Sequence, residues 1–175
     1  MCEMCKGMAR QEHVQRTSAT IERYGWAVVT VDGPVPWAYT IGLDERFDHP
    51  ELVVAGVDPT VAQDLLNDIS PVLSGLTLQA GTHLDLDGDR LEVCDVHPQQ
   101  IEQGLLALWF AVYDGWGDPG PLSALQLRLS GRAFCSCHQD AQPRLDRPTP
   151  ALALPGNRAE RRAQQRRTRR PRGGR

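Results

Sequence analysis

The sequence predicts an α+β domain: a mainly antiparallel sheet packed with two to three helices, followed by an Arg-rich tail that is either disordered or helical. Three observations carry this. Segments of strand character arrive in hairpin-like groups between helical stretches, as antiparallel pairing requires. Asp87-Gly88, set between two alternating runs, is a two-residue hairpin turn. Charge divides the chain as well: residues 151–175 hold nine arginines against the single acid Glu160, whereas residues 1–150 hold ten Lys/Arg against 21 Asp/Glu. The formal net charge of −3 therefore joins a body of −11 to a tail of +8. Pro143, Pro148, Pro150 and Pro155 mark the boundary, so the expected organisation is one domain over 1–142, a Pro-rich linker over 143–156 and a basic tail over 157–175.

In chain order, residues 13–24 lack Gly and Pro and carry Val14, Ala19 and Ile21 among polar residues, which predicts a helix ended by Gly25. Residues 26–31 are β-branched and apolar, a strand, and Asp32-Gly33-Pro34 is turn chemistry. Trp37, Tyr39, Ile41 and Leu43 alternate with Ala38, Thr40 and Gly42, giving a second strand with one bulky and one small face. Residues 52–57 form a third. Asp58-Pro59 opens a helix with Asp as N-cap and Pro at its first position; Val61, Leu65, Leu66, Ile69, Val72 and Leu73 are its expected buried stripe, and Pro71 must kink or restart the last turn. In the hairpin over 82–95, pairing 86 with 89 sets Leu84 opposite Leu91, Asp85 opposite Arg90 and His83 opposite Glu92, and a one-residue slip destroys all three pairs. Pro98 starts a helix with Ile101, Leu105, Leu108, Trp109 and Val112 on one side, running to the Gly-rich stop at 115–120. Leu125, Leu127 and Leu129 alternate with Gln126, Arg128 and Ser130 in the last strand.

The longest apolar run, 104–112, is far shorter than the roughly 20 residues of a membrane helix, and Met1 to Lys6 form no apolar signal core. A cytoplasmic protein without a membrane partner is expected. No G-x-S-x-G elbow, Walker loop, G-x-G-x-x-G or H-E-x-x-H occurs, so the common hydrolase, nucleotide and zincin routes find no support. Residues 85–89 imitate a calcium loop only superficially, with Gly fourth instead of sixth and Val96 where a bidentate Glu is needed.

Three groups of residues can carry chemistry. Cys2-x-x-Cys5 and Cys135-x-Cys137 supply four thiolates, the number and softness of a tetrahedral zinc site, with His138 or His13 able to replace one of them. Zinc shared between the chain ends would staple the fold. A dithiol redox pair and unliganded thiols are the competing readings, while Cys94 in mid-strand reads as a small buried residue. Tyr39, Thr40, His49 and Glu51 bracket two apolar strands, and an imidazole beside a carboxylate can do acid–base work, although His49-Pro50-Glu51 is equally a strand-entry turn. Arg158, Arg161, Arg162, Arg166, Arg167, Arg169 and Arg170 can neutralise the phosphates of RNA or another polyanion, or form a merely solubilising tail. The resulting expectation is a cytosolic binding or regulatory module, zinc-stabilised, with a tail for an anionic partner. Its alternatives are a small enzyme using the Tyr39, Thr40, His49 and Glu51 region, and a thiol redox sensor.

Gly25-Trp26, Ala38-Tyr39-Thr40-Ile41-Gly42-Leu43, His49-Pro50-Glu51-Leu52, Leu65-Leu66-Asn67 and Leu125-Gln126-Leu127, in this order, resemble the bacterial proteins grouped as domain of unknown function 4262. The resemblance covers about residues 15–130, and Tyr-Thr-x-Gly-Leu followed by His-Pro-Glu-Leu is its most specific part. Many such proteins begin with Cys-x-x-Cys, matching Cys2 and Cys5. They usually carry an aromatic-proline segment where this chain has Phe134-Cys135-Ser136-Cys137-His138, so the resemblance extends to only one half of the zinc site. The Arg-rich tail is similar to extensions on assorted actinobacterial proteins. The resemblance implies no activity.

Overall fold

The computed structural model describes residues 10–86, 88–114, 122–131 and 142–148. Helix α1 (Arg10–Tyr24) leads to strands β1 (Ala27–Val31) and β2 (Trp37–Ile41), helix α2 (Leu43–Phe47), strand β3 (Glu51–Ala55) and helix α3 (Pro59–Ile69). There follow strands β4 (His83–Leu86) and β5 (Asp89–Asp95), helices α4 (Pro98–Glu102) and α5 (Ala107–Tyr113), and strand β6 (Ala124–Gly131). The strands form one sheet in the order β1-β2-β3-β6-β5-β4. Its neighbours are antiparallel except β3 and β6, which makes the architecture the expected mainly antiparallel α+β.

Local chemistry explains most boundaries. Gly25 at φ 90° ends α1. Asp58 Oδ1 accepts the Thr60 N–H at 2.9 Å and caps α3, and Pro71 lies in a 3₁₀ turn over Ser70–Leu73 that continues it. The β4–β5 register is the predicted one, with Leu84 opposite Leu91, Asp85 opposite Arg90 and His83 opposite Glu92. The Glu92 carboxylate reaches instead to Arg128 on β6, 2.6 Å away.

Three local expectations are corrected. Leu43 does not extend β2, because Gly42 at φ 110° turns the chain and Leu43 opens α2. Val61 on α3 and Val72 in the 3₁₀ turn that follows it are 43% and 60% exposed. Ala62 completes the buried stripe with Leu65, Leu66 and Ile69 at the i, i+3, i+4, i+7 spacing. The helix expected from Pro98 is broken: Gly104 at φ 97° separates α4 from α5, although Ile101, Leu105, Leu108, Trp109 and Val112 are all buried.

The sheet is covered on both faces. On one, Trp37, Tyr39, Ile41, Val53 and Ala55 pack with Ile21 of α1 and with Ile101, Leu105, Trp109 and Val112. On the other, Ala38, Leu52, Val54, Leu91, Val93, Leu125 and Leu127 pack against α3. Each large apolar side chain so enclosed contributes roughly 1.5–3 kcal/mol. The Pro-rich stretch begins against this body: Gln142 brackets Leu129 through both its amide atoms, and Gln126 does the same to Pro143 and Leu145. Leu145 is fully enclosed, and its carbonyl accepts the His97 N–H.

Candidate functional site

The junction of β2, α2 and β3 gathers the polar residues of the Tyr-Thr-x-Gly-Leu and His-Pro-Glu-Leu segments. Glu51 is wholly enclosed. Its Oε2 accepts the Thr40 hydroxyl at 2.6 Å and its Oε1 the Gly42 N–H at 2.7 Å. The Thr40 oxygen in turn accepts the Leu52 N–H at 2.8 Å, standing in for a ladder bond beyond the β2–β3 pairing, which runs from Trp37 to Tyr39. Gly42 is indispensable to this arrangement: besides its positive φ, a Cβ there would lie 2.8 Å from the Gly25 carbonyl and 3.2 Å from Trp26 Cα. The glycines of two separated sequence segments therefore meet in one close backbone approach.

Burial pushes the Glu51 carboxyl up to about 7, and the Thr40 hydroxyl, the Gly42 and Leu43 backbones and the Trp109 indole pull against that rise. Trp109 Nε1 is buried and has no hydrogen bond of ordinary geometry among the described residues. Tyr113 stands beyond it, its hydroxyl 3.4 Å from Glu45 Oε2. Burial, and then the negative charges of Glu51 and Glu45, push this phenol upward. Sequence reasoning missed Trp109 and Tyr113 as neighbours of Glu51, because their positions on an apolar helix face signal only burial.

Of the four expected catalytic residues, the structure brings together Thr40 and Glu51 alone. His49 is also wholly enclosed, but its ring lies elsewhere: Nδ1 is 2.6 Å from the Pro50 carbonyl and Nε2 accepts the Leu78 N–H at 3.0 Å. Those partners define a neutral imidazole with its proton on Nδ1, and burial lowers its pKa in the same sense. The ring fastens the loop before β4 to the start of β3. Tyr39 faces the opposite helices, where its hydroxyl accepts the Leu108 N–H at 3.1 Å. Leu106, the residue preceding α5, offers no side-chain cap, so Tyr39 satisfies one of the orphan donors of that helix. Trp37 Nε1 donates to the Leu105 carbonyl at 3.2 Å. The break between α4 and α5 is thus capped from the sheet.

Two surface pockets flank α1. One of about 350 Å³ is lined by Arg23, Tyr24, Glu45 and Arg46 among others. The second, a groove of about 440 Å³, runs along β1 between α1 and α3. Neither reaches Tyr39, Thr40, His49 or Glu51. His13 borders the groove, and its buried Nδ1 has no hydrogen-bond partner among the described residues. Cys2, Cys5, Cys135, Cys137 and His138, and the tail arginines from Arg158 to Arg170, lie outside the described residues. Among the described residues no group of three His, Cys, Asp or Glu side chains is placed to hold a metal ion, and no helix is long and apolar enough to cross a membrane. Cys94 is a free, buried thiol whose pKa burial raises.

Fold and site together define a class: a sheet covered by helices on both faces, whose motif residues are built into the junction of its central strands. The chain belongs to the family described as domain of unknown function (DUF4262), whose model matches residues 20–132. No curated protein and no solved structure is found to match the chain.

Proposed function

We propose that this protein is a cytosolic, non-catalytic binding or regulatory module, zinc-stapled through Cys2, Cys5, Cys135 and Cys137, whose tail arginines attach it to RNA or another polyanion. One observation carries the reading. Thr40, Gly42, His49 and Glu51 are engaged by fold-holding hydrogen bonds, and Glu51 and His49 are wholly enclosed, so no reactant reaches them in this conformation. The positive charge of the tail, set apart from the acidic body, would supply the attachment. The alternative of a small enzyme draws on the near-neutral carboxyl of Glu51, a property that acid–base catalysis favours, but burial that complete weighs against it.

The test is retention of a labelled oligouridylate by the full chain and by a chain lacking residues 156–175. Affinity should fall by about three orders of magnitude between low and physiological salt if seven arginines displace counterions, and should vanish with the deletion. Binding that survives the deletion, or ignores salt, overturns the tail's role. Elemental analysis checks the staple: about one zinc per chain, lost together with thermal stability in the Cys2→Ser/Cys137→Ser variant, is the expected result.

A further inference from the structure

β1 ends the sheet, and among the described residues no other strand meets its outer side. Register decides which backbone groups line that edge. The Gly56 N–H donates to the Pro36 carbonyl at 2.8 Å, one step beyond the Trp37–Ala55 pair, which makes 36 and 56 a hydrogen-bonded pair. Alternation then turns the backbone of Ala38 toward β3 and that of Trp37, Tyr39 and Ile41 toward β1. Their partners Val31, Val29 and Ala27 bond to β2. The N–H and C=O of Val28 and Thr30 consequently point out of the sheet, and among the described residues no backbone hydrogen bond from outside it reaches them.

Exposed edges are ordinarily blunted by charges, prolines or bulges, yet Ala27–Val31 contains neither charge nor proline. Instead this edge lines the 440 Å³ groove, with His13, Arg16 and Thr20 on the α1 side and Thr60 and Gln63 on the α3 side. None of the lining residues is acidic, although the body to which they belong carries a charge of −11. Asp58, beside the α3 wall, is already engaged by the Thr60 N–H. A His13 Nδ1 without a partner among the described residues adds a polar atom on the wall.

We propose that this groove captures an extended acidic peptide of a partner protein, which adds to the sheet as a strand alongside β1. Its backbone pairs with Val28 and Thr30, and its carboxylates face the α1 wall. The site is independent of the basic tail and goes beyond the reading above. Charge complementarity selects this occupant: the chain's own tail shares the sign of the α1 wall, and a second copy of β1 would set two such walls against each other.

The test uses the full chain, ¹⁵N-labelled, titrated with capped decapeptides alternating Thr with Glu, with Gln or with Lys. Because the tail arginines also attract acidic peptides, the readout is the Val28 and Thr30 amides. The Glu peptide should shift both and slow their exchange with solvent, and the Lys peptide should not. Thr30→Pro removes an outward N–H that the ladder does not use and should weaken binding about fivefold or more. Gln63→Glu, at an exposed position on the α3 wall, should weaken it about threefold and decides the matter if the proline variant does not fold. The proposal is overturned if the Glu peptide moves only tail resonances or if the Lys peptide binds β1 equally. It is likewise overturned if both amides are already protected in the free chain, or if the chain forms a dimer that Thr30→Pro abolishes.

Discussion

At the junction of β2 and β3 the side chains with reactive chemistry are engaged by the fold: Thr40 and Gly42 hold Glu51, and His49 holds the Leu78 backbone. At the β1 edge the side chains are plain Val and Thr, and it is the backbone of Val28 and Thr30 that faces outward. The difference teaches where to look for function in this fold. Thr40, Gly42, His49 and Glu51 are taken up by hydrogen bonds within the fold, while β1 carries Val28 and Thr30 backbone groups that no backbone hydrogen bond from outside the sheet reaches among the described residues.

Four substitutions can break or sharpen this contrast. Gly42→Ala should have the largest effect, because its φ of 110° is strained for any L residue and its Cβ would meet the Gly25 carbonyl at 2.8 Å. A loss of about 3 kcal/mol or more in urea unfolding is expected, and a loss below about 1 kcal/mol would show that the junction yields easily.

Glu51 comes next. Its folded-state pKa of about 7 lies above the ordinary 4.5, so the folded chain binds this proton more tightly than the unfolded chain. The proton's contribution is complete below pH 4.5 and is lost as pH rises to about 7, where the curve levels. Roughly 3 kcal/mol is at stake across that window. Denaturant midpoints measured across it should fall with rising pH in the wild type, and this component should be absent in Glu51→Gln. An unchanged pH profile in that variant would assign the dependence to another group.

Tyr39→Phe removes the hydroxyl that caps α5 and leaves the Leu108 N–H buried without its partner, for an expected loss of about 1–2 kcal/mol. Amide exchange in residues 107–113 should quicken more than elsewhere. At the edge, by contrast, Thr30→Pro should stay within about 0.5 kcal/mol of wild type, since β2 does not use the bond it deletes.

Much of this fold was legible along the chain, wherever a feature depended on neighbours in sequence. The alternation on either side of residues 87–88 agrees with the β4–β5 register, although Asp87 of the expected turn lies outside the described residues; Asp58-Pro59 set the start of α3, and His97-Pro98 set the start of α4. These signals are local, because turn geometry and capping involve residues only two or three apart. The resemblance that marked Tyr39 to Leu43 and His49 to Leu52 likewise identified the family, but not the use to which those side chains are put. Contacts distant in sequence decided that. Gly42 is constrained by Gly25, His49 by Leu78, and Tyr39 by Leu108. At the break around Gly104, Trp37 and Tyr39 on β2 satisfy the Leu105 carbonyl and the Leu108 N–H. Composition alone determined the acidic body and the basic tail. Only the tertiary structure could decide that β1 stands at the end of the sheet with Val28 and Thr30 facing outward, because strand order is set by which apolar faces pack together and not by any residue within the strand.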